Sequence, residues 1–324
     1  MIDFFAGICY NVLNCEIIYG DKNKKGGGNM GKMLFIFNPK SGKSKMKNRL
    51  FDVIDSFVKE GWDVRVHPTQ KANDAYEQIK REGKKYELVV SSGGDGTLKE
   101  SIGGLMTISE EFRPKFGYIP TGTTNDFACG INIPKSISRA VKKIVGGNPT
   151  ALDVGKFNGK YFVYVAAFGA FTEVSYETPQ SIKNVFGKAA YVLNGIKSLA
   201  NIKAYNMTVK WEGGEEQGEY ILGLITNVNH VAGMTTRYNR DSEINDGLFE
   251  VVLVKKPKTI AHLSIIGAEM LSAKLNPENF VHFSAKNILI ECDDRVKWTL
   301  DGEFGGEFDK GNIEVIKGAI NIVI

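Results

Sequence analysis

A glycine-rich turn between an apolar run and a helix-forming run constrains the fold of this chain more than any other stretch. Residues 88–90 read Leu-Val-Val, which predicts a buried strand, and residues 98–106 favour a helix. Between them Gly93, Gly94 and Gly96 lack a Cβ, so the backbone can adopt φ > 0 and come close to a bulky anion. The pattern predicts a strand, a turn and a helix whose first N–H groups can hold a phosphate.

Two side chains in this turn, which we call loop 2 (residues 93–97), add chemistry to the backbone. Thr97 offers a hydroxyl group, and Asp95 is placed to act on a phosphate through a metal ion. A glycine turn of this length is also compatible with a purely structural role. The chain contains neither the GxxxxGK[ST] pattern of a P-loop nor the GxGxxG pattern of a dinucleotide site, so a nucleotide would be held by another device.

The elements predicted for the first 150 residues alternate between strand and helix. Such alternation predicts a doubly wound, mostly parallel α/β sheet, in which ligands bind at the carboxyl ends of the strands. Loop 1 (residues 38–42, NPKSG), Thr69, loop 2 and loop 3 (residues 120–126, PTGTTND) all lie at such ends. The predicted strands cover residues 33–39, 63–69, 88–90 and 115–120, and the predicted helices cover about 45–60, 73–82, 98–106 and 136–145.

The pattern changes after residue 150, where strand-like segments follow one another with few helices between them. This pattern predicts a mainly antiparallel β-sandwich, interrupted by helical regions near residues 185–200 and 260–273. Short strands near the end of the chain are expected to return to the first domain. The expected parts are a flexible leader, native or appended, over 1–32, an α/β nucleotide domain over 33–150 with 306–324 returning to it, and a lipid-substrate sandwich over 151–305.

Composition excludes several classes of protein. The chain has 324 residues and a formal net charge of +4, far below the charge density of a dedicated nucleic-acid-binding protein. Its four cysteines show no CxxC spacing, which favours reduced thiols in a cytoplasmic protein over a zinc site or a disulfide framework. No window reaches the uninterrupted apolar length that a membrane span requires. We therefore expect a cytoplasmic protein without a nucleic-acid partner.

Seven short motifs give the chain a specific resemblance. They are NPKSG (38–42), GGDGTLKE (93–100), PTGTTNDFA (120–128), LDVGK (152–156), SYETP (175–179), NDGLFEV (245–251) and LDGEFGG (300–306). In this order and spacing the sequence resembles the soluble bacterial diacylglycerol kinases of the broader diacylglycerol and sphingosine kinase family, from residue 33 onward. NAD kinases and phosphofructokinases share the GGDGT device but are not known for the third and last motifs. The resemblance implies a nucleotide domain followed by a β-sandwich domain.

The resemblance also implies an ATP site along the loops of the first domain. Lys99 departs from the asparagine that is common at its place in the family. The implied nucleotide-lining residues are Asn38, Pro39, Lys40, Ser41, Gly42, Thr69, Gly93, Gly94, Asp95, Gly96, Thr97, Leu98, Lys99, Glu100, Thr123 and Asn125.

A catalytic Mg²⁺ site is implied by three carboxylates. Asp95, Asp126 and Asp153 match the family's network, which holds the ion partly through water, and Mg²⁺ usually keeps several waters in proteins. The residues by themselves leave alternatives open, because Asp126 suits a helix N-cap and Asp153 suits a turn.

A second, structural Mg²⁺ site is implied near residue 246. The carboxylate of Asp246 and the backbone carbonyls of Glu243 and Leu248 would be its ligands. Without the resemblance, the Asn-Asp-Gly sequence before a strand predicts only a hairpin turn.

The turn at residues 300–303, loop 4, supplies the candidate catalytic base. Phosphoryl transfer to an alcohol needs a carboxylate that accepts the hydroxyl proton, while positioning and charge neutralisation do most of the remaining work. Asp301 is the proposed base, and Glu303 competes with it for that role. The sequence leaves the choice between the two open.

These implications predict an ATP-dependent lipid kinase that phosphorylates the hydroxyl of diacylglycerol and yields phosphatidic acid. One alternative is a kinase of the same fold for a sphingoid base, a ceramide or phosphatidylglycerol. Another alternative is a non-catalytic regulator that binds a nucleotide or a lipid. The cofactors would be ATP and Mg²⁺, and both monomer and homodimer stay open.

The lipid substrate would require reversible docking on the inner membrane leaflet, since the chain has no predicted span. Phe168, Phe171 and Val174 are candidate residues for the lining of an acyl-chain cleft. Lysines that could touch anionic headgroups, or simply form a solvated face, are Lys183, Lys188, Lys197 and Lys203.

Overall fold

The computed structural model describes residues 30–170, 202–228, 230–231, 234–235, 243–272 and 274–324. Several predictions fall outside these ranges. They concern the leader up to residue 29, the SYETP motif, the helix near 185–200, and the candidate residues Phe171, Val174, Lys183, Lys188 and Lys197.

The first domain contains the parallel sheet that the alternating pattern predicts. Its strands lie in the order β2, β1, β3, β4, and each neighbouring pair is parallel. The strands are β1 Gly31–Phe37, β2 Trp62–Pro68, β3 Leu88–Gly93 and β4 Lys115–Pro120. The helices are α1 Leu50–Lys59, α2 Asp74–Glu82, α3 Asp95–Leu105, α4 Asp126–Gly130 and α5 Ile137–Gly146.

The apolar residues of the central strands explain this arrangement. Residues 33–37 in β1 and 88–93 in β3 are buried without alternation, so both faces of these strands are covered. Helix α1 packs beside α5, and α2 packs beside α3. The amphipathic face of α1 buries Val53 and Phe57, which fits its predicted apolar stripe. The prediction of a doubly wound α/β domain is confirmed.

The second domain is mainly antiparallel and is built around buried aromatic rings. Trp298 is buried, and its ring centroid lies 4.5 Å from that of Phe157 and 4.9 Å from that of Phe168. The described elements are β5 Pro149–Phe157, β6 Lys160–Phe162, β7 Val165–Gly169, β8 Tyr205–Trp211, β9 Gly214–Thr226, β10 His230–Val231, β11 Met234–Thr235, β12 Phe249–Lys255, α6 Ile260–Ser272, β13 Phe280–Ala285, β14 Asn287–Leu300 and β15 Glu303–Val323. The mainly antiparallel second domain is therefore confirmed.

One long strand, β15, belongs to both domains. It pairs antiparallel with β14 and then with β5, and Ile322 near its end lies parallel beside Phe116 of β4. Arg113 adds a side-chain link, because its Nη1 donates a hydrogen bond to the carbonyl oxygen of Ala319. The hydrogen-bonded sheet is therefore continuous from the second domain to β2. The exact domain limits stay a prediction, and β5 crosses the expected limit at residue 150.

The structure divides one predicted strand and joins two others. The run 160–169 favours a single strand but forms β6 and β7, because the N–H groups of Val163 and Tyr164 donate to the Asp301 carboxylate. The two short strands expected after residue 312 are one strand, in which the pairing register shifts between Ile316 and Ile320. Both differences depend on partners far away in the sequence.

Two absences apply to the described part of the chain. No helix there combines the length and apolar character needed to cross a membrane. No disulfide joins Cys129 and Cys292, the two cysteines of the described ranges, and the reduced state of all four thiols stays a prediction.

Candidate active site

Loops 1, 2 and 3 converge at the carboxyl ends of the parallel strands, as the chain order predicts. The backbone N–H of Asn38 in loop 1 donates to the carbonyl of Ser92 at 2.8 Å. The backbone N–H of Thr121 in loop 3 donates to the carbonyl of Gly93 at 2.8 Å. Thr69 closes the neighbouring strand end, since its N–H donates to the carbonyl of Phe37 at 2.9 Å. The predicted nucleotide loops therefore form one connected edge.

Glycines allow these loops to touch backbone against backbone. Gly42 has φ +51°, and a Cβ at this residue would lie 1.7 Å from the carbonyl oxygen of Thr121. A Cβ on Gly122 would lie 2.5 Å from the Cα of Gly94 and 2.7 Å from Asn125 Oδ1. The glycines therefore have a packing role, in addition to the access to a phosphate that their small size provides.

Replacement of Gly122 by alanine is expected to destabilise the protein by about 1–3 kcal/mol, because the added methyl group meets rigid backbone. Gly146→Ala is the matched control, since no atom of the described residues lies within 4 Å of a Cβ at that helix end. Urea unfolding of both variants measures the difference. Equal midpoints for Gly122→Ala and Gly146→Ala would contradict the close contact between loops 2 and 3.

Asn125 shapes loop 3 from within. It has φ +53°, its Oδ1 accepts a hydrogen bond from the N–H of Gly122, and its Nδ2 donates to the Gly122 carbonyl, both at 2.9 Å. Its amide is therefore occupied within the loop, whereas Thr123 is exposed and able to meet a ligand. Leu98 is fully buried in the core, so only its backbone can contribute to a nucleotide site.

Glu100 has a structural task at the start of α2. Its two carboxylate oxygens accept hydrogen bonds from the N–H groups of Asn73 at 2.8 Å and Ala75 at 3.3 Å. These contacts satisfy N–H groups that a helix start leaves without intrahelical partners. A direct contact between Glu100 and a nucleotide stays a prediction.

The surroundings of the Asp95 carboxylate suit a bound cation. Its Oδ2 accepts a hydrogen bond from the N–H of Asp126 at 3.2 Å, while its Oδ1 is buried and has no hydrogen-bond partner among the described residues. Burial raises the pKa of the Asp95 carboxyl, and the nearby charge of Asp126 raises that pKa further. A buried, unpaired oxygen beside a second carboxylate fits a divalent cation, because the cation would offset both costs.

Asp153 lies in a different environment from Asp95. Its Oδ2 accepts a hydrogen bond from the N–H of Gly247 at 2.7 Å, and its Oδ1 accepts one from the N–H of Gly318 at 2.6 Å. Burial raises the pKa of Asp153, and the charge of the neighbouring Asp246 raises it further. The structure therefore uses Asp153 to join β5, the 243–248 turn and β15, and its part in the catalytic metal site stays a prediction.

Asp246, the predicted ligand of a structural metal ion, accepts two backbone hydrogen bonds in this structure. Its Oδ2 accepts one from the N–H of Glu243 at 3.1 Å, and its Oδ1 accepts one from the N–H of Leu248 at 2.8 Å. The bond to Leu248, two residues further on, is typical of an Asx-type turn. The metal site itself stays a prediction. Within the described ranges no group of three or more His, Cys, Asp or Glu side chains forms a metal cluster.

Asp301 is buried, with only 4% of its surface exposed, and three backbone donors hold it. Its carboxylate accepts hydrogen bonds from the N–H groups of Val163 at 2.8 Å, Tyr164 at 3.0 Å and Val165 at 3.2 Å. Burial raises the pKa of Asp301 to about 6, although these hydrogen bonds and the charge of Lys99 act in the opposite direction. Such a carboxylate is mostly ionised at neutral pH and about half ionised near pH 6.

Glu303 lies at the mouth of the same turn, and its side chain is 58% exposed. Its Oε2 is 2.8 Å from Lys99 Nζ, which also donates to the carbonyl oxygen of Leu300 at 3.1 Å. A Cβ added to Gly96 would lie 3.3 Å from Glu303 Oε1. Loop 4 of the second domain therefore faces loop 2 of the first, and both candidate bases border the phosphate-binding edge.

Two tyrosines, Tyr118 and Tyr164, belong to the site although no sequence pattern marks them as site residues. Tyr118 is buried in β4, and its hydroxyl donates to the carbonyl of Gly93 at 3.0 Å. Tyr164 is also buried, and its pKa is raised well above the usual value by burial and then by the charges of Asp95, Asp301 and Asp126. Each tyrosine lies in an apolar run of the sequence, and such a run predicts a buried position but no role in the site.

Phe168 does not line an open cleft, and that expectation is wrong. Its side chain is fully buried against Trp298, and its ring centroid is 6.4 Å from that of Tyr205. The alternation of β7 places it on the inner face of the second domain, where it forms part of the core.

Comparison with known proteins agrees with this geometry. Residues 32–157 match the model of the diacylglycerol kinase catalytic domain, and residues 166–324 match the YegS C-terminal NAD kinase beta sandwich-like domain. The two matched regions correspond to the α/β domain and the mainly antiparallel domain described above.

Individual relatives extend the similarity over most of the chain. A diacylglycerol kinase of Bacillus subtilis (strain 168) is 32% identical, over 86% of this chain and 91% of the relative. One of Staphylococcus aureus (strain MRSA252) is 34% identical, over 84% of this chain and 86% of the relative. A crystal structure of a protein assigned as a diacylglycerol kinase from Bacillus anthracis str. Sterne is 26% identical, with a TM-score of 0.76, over 91% of this chain and 98% of the other. The chain therefore belongs to the diacylglycerol kinase family.

Proposed function

We propose that this chain is an ATP-dependent kinase that transfers the γ-phosphoryl group of ATP to the free hydroxyl of diacylglycerol, yielding phosphatidic acid and ADP. The family membership supports a lipid kinase, and the choice of diacylglycerol follows its relatives, which are diacylglycerol kinases by name. The single observation that carries the proposal is the Oδ1 of Asp95, which is buried beside three converging glycine loops and has no hydrogen-bond partner in the described part of the chain.

The nucleotide is proposed to bind along loops 1, 2 and 3. Loop 2 leads directly into α3, so the first N–H groups of this helix face the edge where the loops meet. The exposed Thr123 of loop 3 is available for a further contact. The arrangement suits the phosphates of ATP, because backbone donors and a helix N-terminus favour negative charge.

Asp95 and Asp126 are the proposed holders of Mg²⁺. When bound, the ion would neutralise charge on the phosphate oxygens of ATP. The Asp95 carboxylate fits this task because its Oδ1 has no partner within the described ranges, and Asp126 offers a second carboxylate on the neighbouring helix start. Mg²⁺ sites with one or two carboxylates and several waters are common where a substrate phosphate completes the shell.

Asp301 is proposed as the general base. The lipid hydroxyl oxygen forms a bond to the γ-phosphorus, the bond between that phosphorus and the bridging oxygen of ADP breaks, and the hydroxyl proton passes to the Asp301 carboxylate. The pKa of about 6 suits proton acceptance near neutral pH. Glu303 is the alternative base, because it is the more exposed carboxylate of loop 4.

The purified protein is expected to form phosphatidic acid from diacylglycerol in mixed micelles with γ-³²P-labelled ATP and Mg²⁺. A reaction without the protein gives the background. Omission of Mg²⁺, with a chelator present, should also abolish product formation. Absence of labelled phosphatidic acid above this background would reject diacylglycerol as the substrate.

A panel of acceptors separates the remaining functions. Sphingoid base, ceramide and phosphatidylglycerol should give less labelled product than diacylglycerol at equal mole fraction in the micelle. Higher turnover with one of them would reassign the substrate within the same reaction class. Binding of ATP without any labelled lipid would favour the non-catalytic regulator.

The lipid substrate implies reversible contact with the inner membrane leaflet from the cytoplasmic side. Of the lysines considered for headgroup contact, Lys203 is described, and its Nζ lies 2.9 Å from Asp294. Its charge is therefore already paired, which weakens its case as a headgroup contact. Vesicle sedimentation tests the leaflet contact, and light scattering tests the alternative of a homodimer.

A further inference from the structure

Lys99 connects the two halves of the candidate site. It lies one helical turn after Asp95 in α3, so both side chains project from the same face of the helix. Its Nζ donates to Leu300 O at 3.1 Å and to Glu303 Oε2 at 2.8 Å. Lys99 therefore bonds loop 4 on both sides of Asp301, through the backbone carbonyl of Leu300 before it and the carboxylate of Glu303 after it.

Loop 4 is the two-residue turn between β14 and β15, and contacts from both domains hold it. Asp301 has φ +53° and Gly302 has φ +81°, a pair of left-handed conformations that an Asp-Gly sequence favours in a hairpin. On the second-domain side, the N–H groups of residues 163–165 hold the Asp301 carboxylate, and the Asp301 N–H donates to the Val165 carbonyl at 2.8 Å. On the first-domain side, the contacts of loop 4 include those of Lys99.

The Lys99 contacts differ from an ordinary surface ion pair. The lysine side chain is only 22% exposed, and one of its two bonds goes to a backbone carbonyl. Exposed ion pairs contribute little to stability, whereas removal of a partly buried charge that also bonds a backbone carbonyl costs more. Lys256 provides the contrast, since its Nζ is also 2.8 Å from a glutamate, Glu219, but both side chains are about half exposed.

We propose that Lys99 is a positioning residue that fixes loop 4, and with it Asp301, against the phosphate-binding loop 2. This inference rests on the proposed kinase function and deepens it. The role differs from a nucleotide contact, which is what the position of Lys99 in its motif implied. It also gives Glu303 a defined task, because its carboxylate is the anchor for Lys99.

Charges around Asp301 support the same role. Lys99 from α3 favours the ionised carboxylate, and Tyr164 from the segment before β7 lies close enough for its pKa to be raised by Asp301. Glu100 also lies near loop 4. Burial raises the pKa of its carboxyl group, and the charge of Glu303 adds to this effect. Loss of the Lys99 charge would therefore make Asp301 harder to ionise, and the acid limb of the activity profile would move to higher pH.

The test compares Lys99→Met, Lys99→Arg and the control Lys256→Met in the mixed-micelle assay. Lys99→Met should lower kcat about tenfold to a hundredfold, with a change in KM for ATP of less than about threefold. Its acid limb in kcat/KM should lie at higher pH than that of the unchanged protein. Lys99→Arg should recover part of kcat, and Lys256→Met should behave as the unchanged protein.

Specific outcomes would overturn the proposal. A raised KM for ATP with unchanged kcat in Lys99→Met would make Lys99 a nucleotide contact. If the acid limb of Lys99→Met did not shift, Lys99 would have no influence on the ionisation of Asp301. A double-mutant cycle of Lys99→Met and Glu303→Gln in urea unfolding adds a readout that does not depend on activity. If the shifts in unfolding midpoint of the two single variants summed to that of the double variant, the ion pair would not hold the domains together. Absence of turnover by the unchanged protein would reject the kinase function but leave the cycle interpretable.

Discussion

Asp95→Asn is expected to lower kcat/KM for phosphoryl transfer by about 10³-fold or more while the protein stays folded. Asparagine keeps the shape of the side chain and can still accept the hydrogen bond from the Asp126 N–H. It removes the negative charge that would hold the cation at the phosphates. The effect is large because charge neutralisation provides most of the stabilisation in phosphoryl transfer.

The same substitution is expected to leave stability unchanged or to raise it. Burial and the charge of Asp126 raise the pKa of Asp95 in the folded state, so ionised Asp95 costs folding free energy at neutral pH. Its contribution to stability is full below the unfolded-state pKa and is lost as the pH rises through the folded-state pKa. Urea unfolding at pH 8 without Mg²⁺ measures this gain.

Asp52→Asn is the matched control for both measurements, because Asp52 is an exposed aspartate paired with Arg49. It should change neither the activity nor the stability by a large amount. An Asp95→Asn protein that keeps activity within tenfold of the unchanged protein would remove Asp95 from the metal site. A large loss of stability in this variant would instead assign the carboxylate a structural task.

Asp301→Asn is the second substitution with a large expected effect, a loss of about 10²–10⁴-fold in kcat, which is typical for removal of a general base. Asparagine is compatible with the φ of +53° at this residue, so the turn should persist. Glu303→Gln is the paired variant. If Glu303→Gln lost activity to that extent while Asp301→Asn kept it, the base would be Glu303.

The stability of Asp301→Asn should change little, because two effects oppose each other. Removal of a charge whose pKa is raised to about 6 relieves a cost on the order of 3 kcal/mol above that pH. The amide Nδ2 cannot accept a hydrogen bond, so one of the N–H groups at residues 163–165 loses its partner, at a cost of about 1–3 kcal/mol. Activity and stability are therefore expected to separate in this variant.

The pH dependence of the unchanged protein gives an independent check of the base. A carboxylate with a pKa of about 6 must be deprotonated to accept the hydroxyl proton, so kcat/KM should rise with pH through about 6 and then level off. The profile should be measured at saturating Mg²⁺ and constant ionic strength. An acid limb centred well below pH 6 would show that the group with the raised pKa, Asp301, is not the base.

Local sequence patterns predicted the architecture because strand and helix periodicity depends on near neighbours. The uninterrupted apolar run of β1 and the amphipathic stripe of α1 are visible without any knowledge of the fold. Convergence of loops 1 to 3 followed from the rule that parallel strands end at one edge. The motifs then identified the family.

Contacts between distant residues could not be predicted in the same way. The burial of Asp301 depends on N–H groups more than a hundred residues earlier, and the ion pair of Lys99 depends on a glutamate 204 positions away. The Asp153 carboxylate likewise accepts hydrogen bonds from the N–H groups of Gly247 and Gly318, which lie 94 and 165 positions away. No periodicity in a window of 11–18 residues, the range over which such patterns are scored, contains this information.

The path of β15 has a consequence for how the protein reaches its folded state. The outer edge of β4 is completed by a segment that follows 206 positions later, as the contact between Arg113 and Ala319 shows. Until that segment arrives, a growing chain exposes an unpaired edge of a hydrophobic parallel sheet. Such edges bind other chains readily, so synthesis of this protein should depend on chaperones that shield the β4 edge.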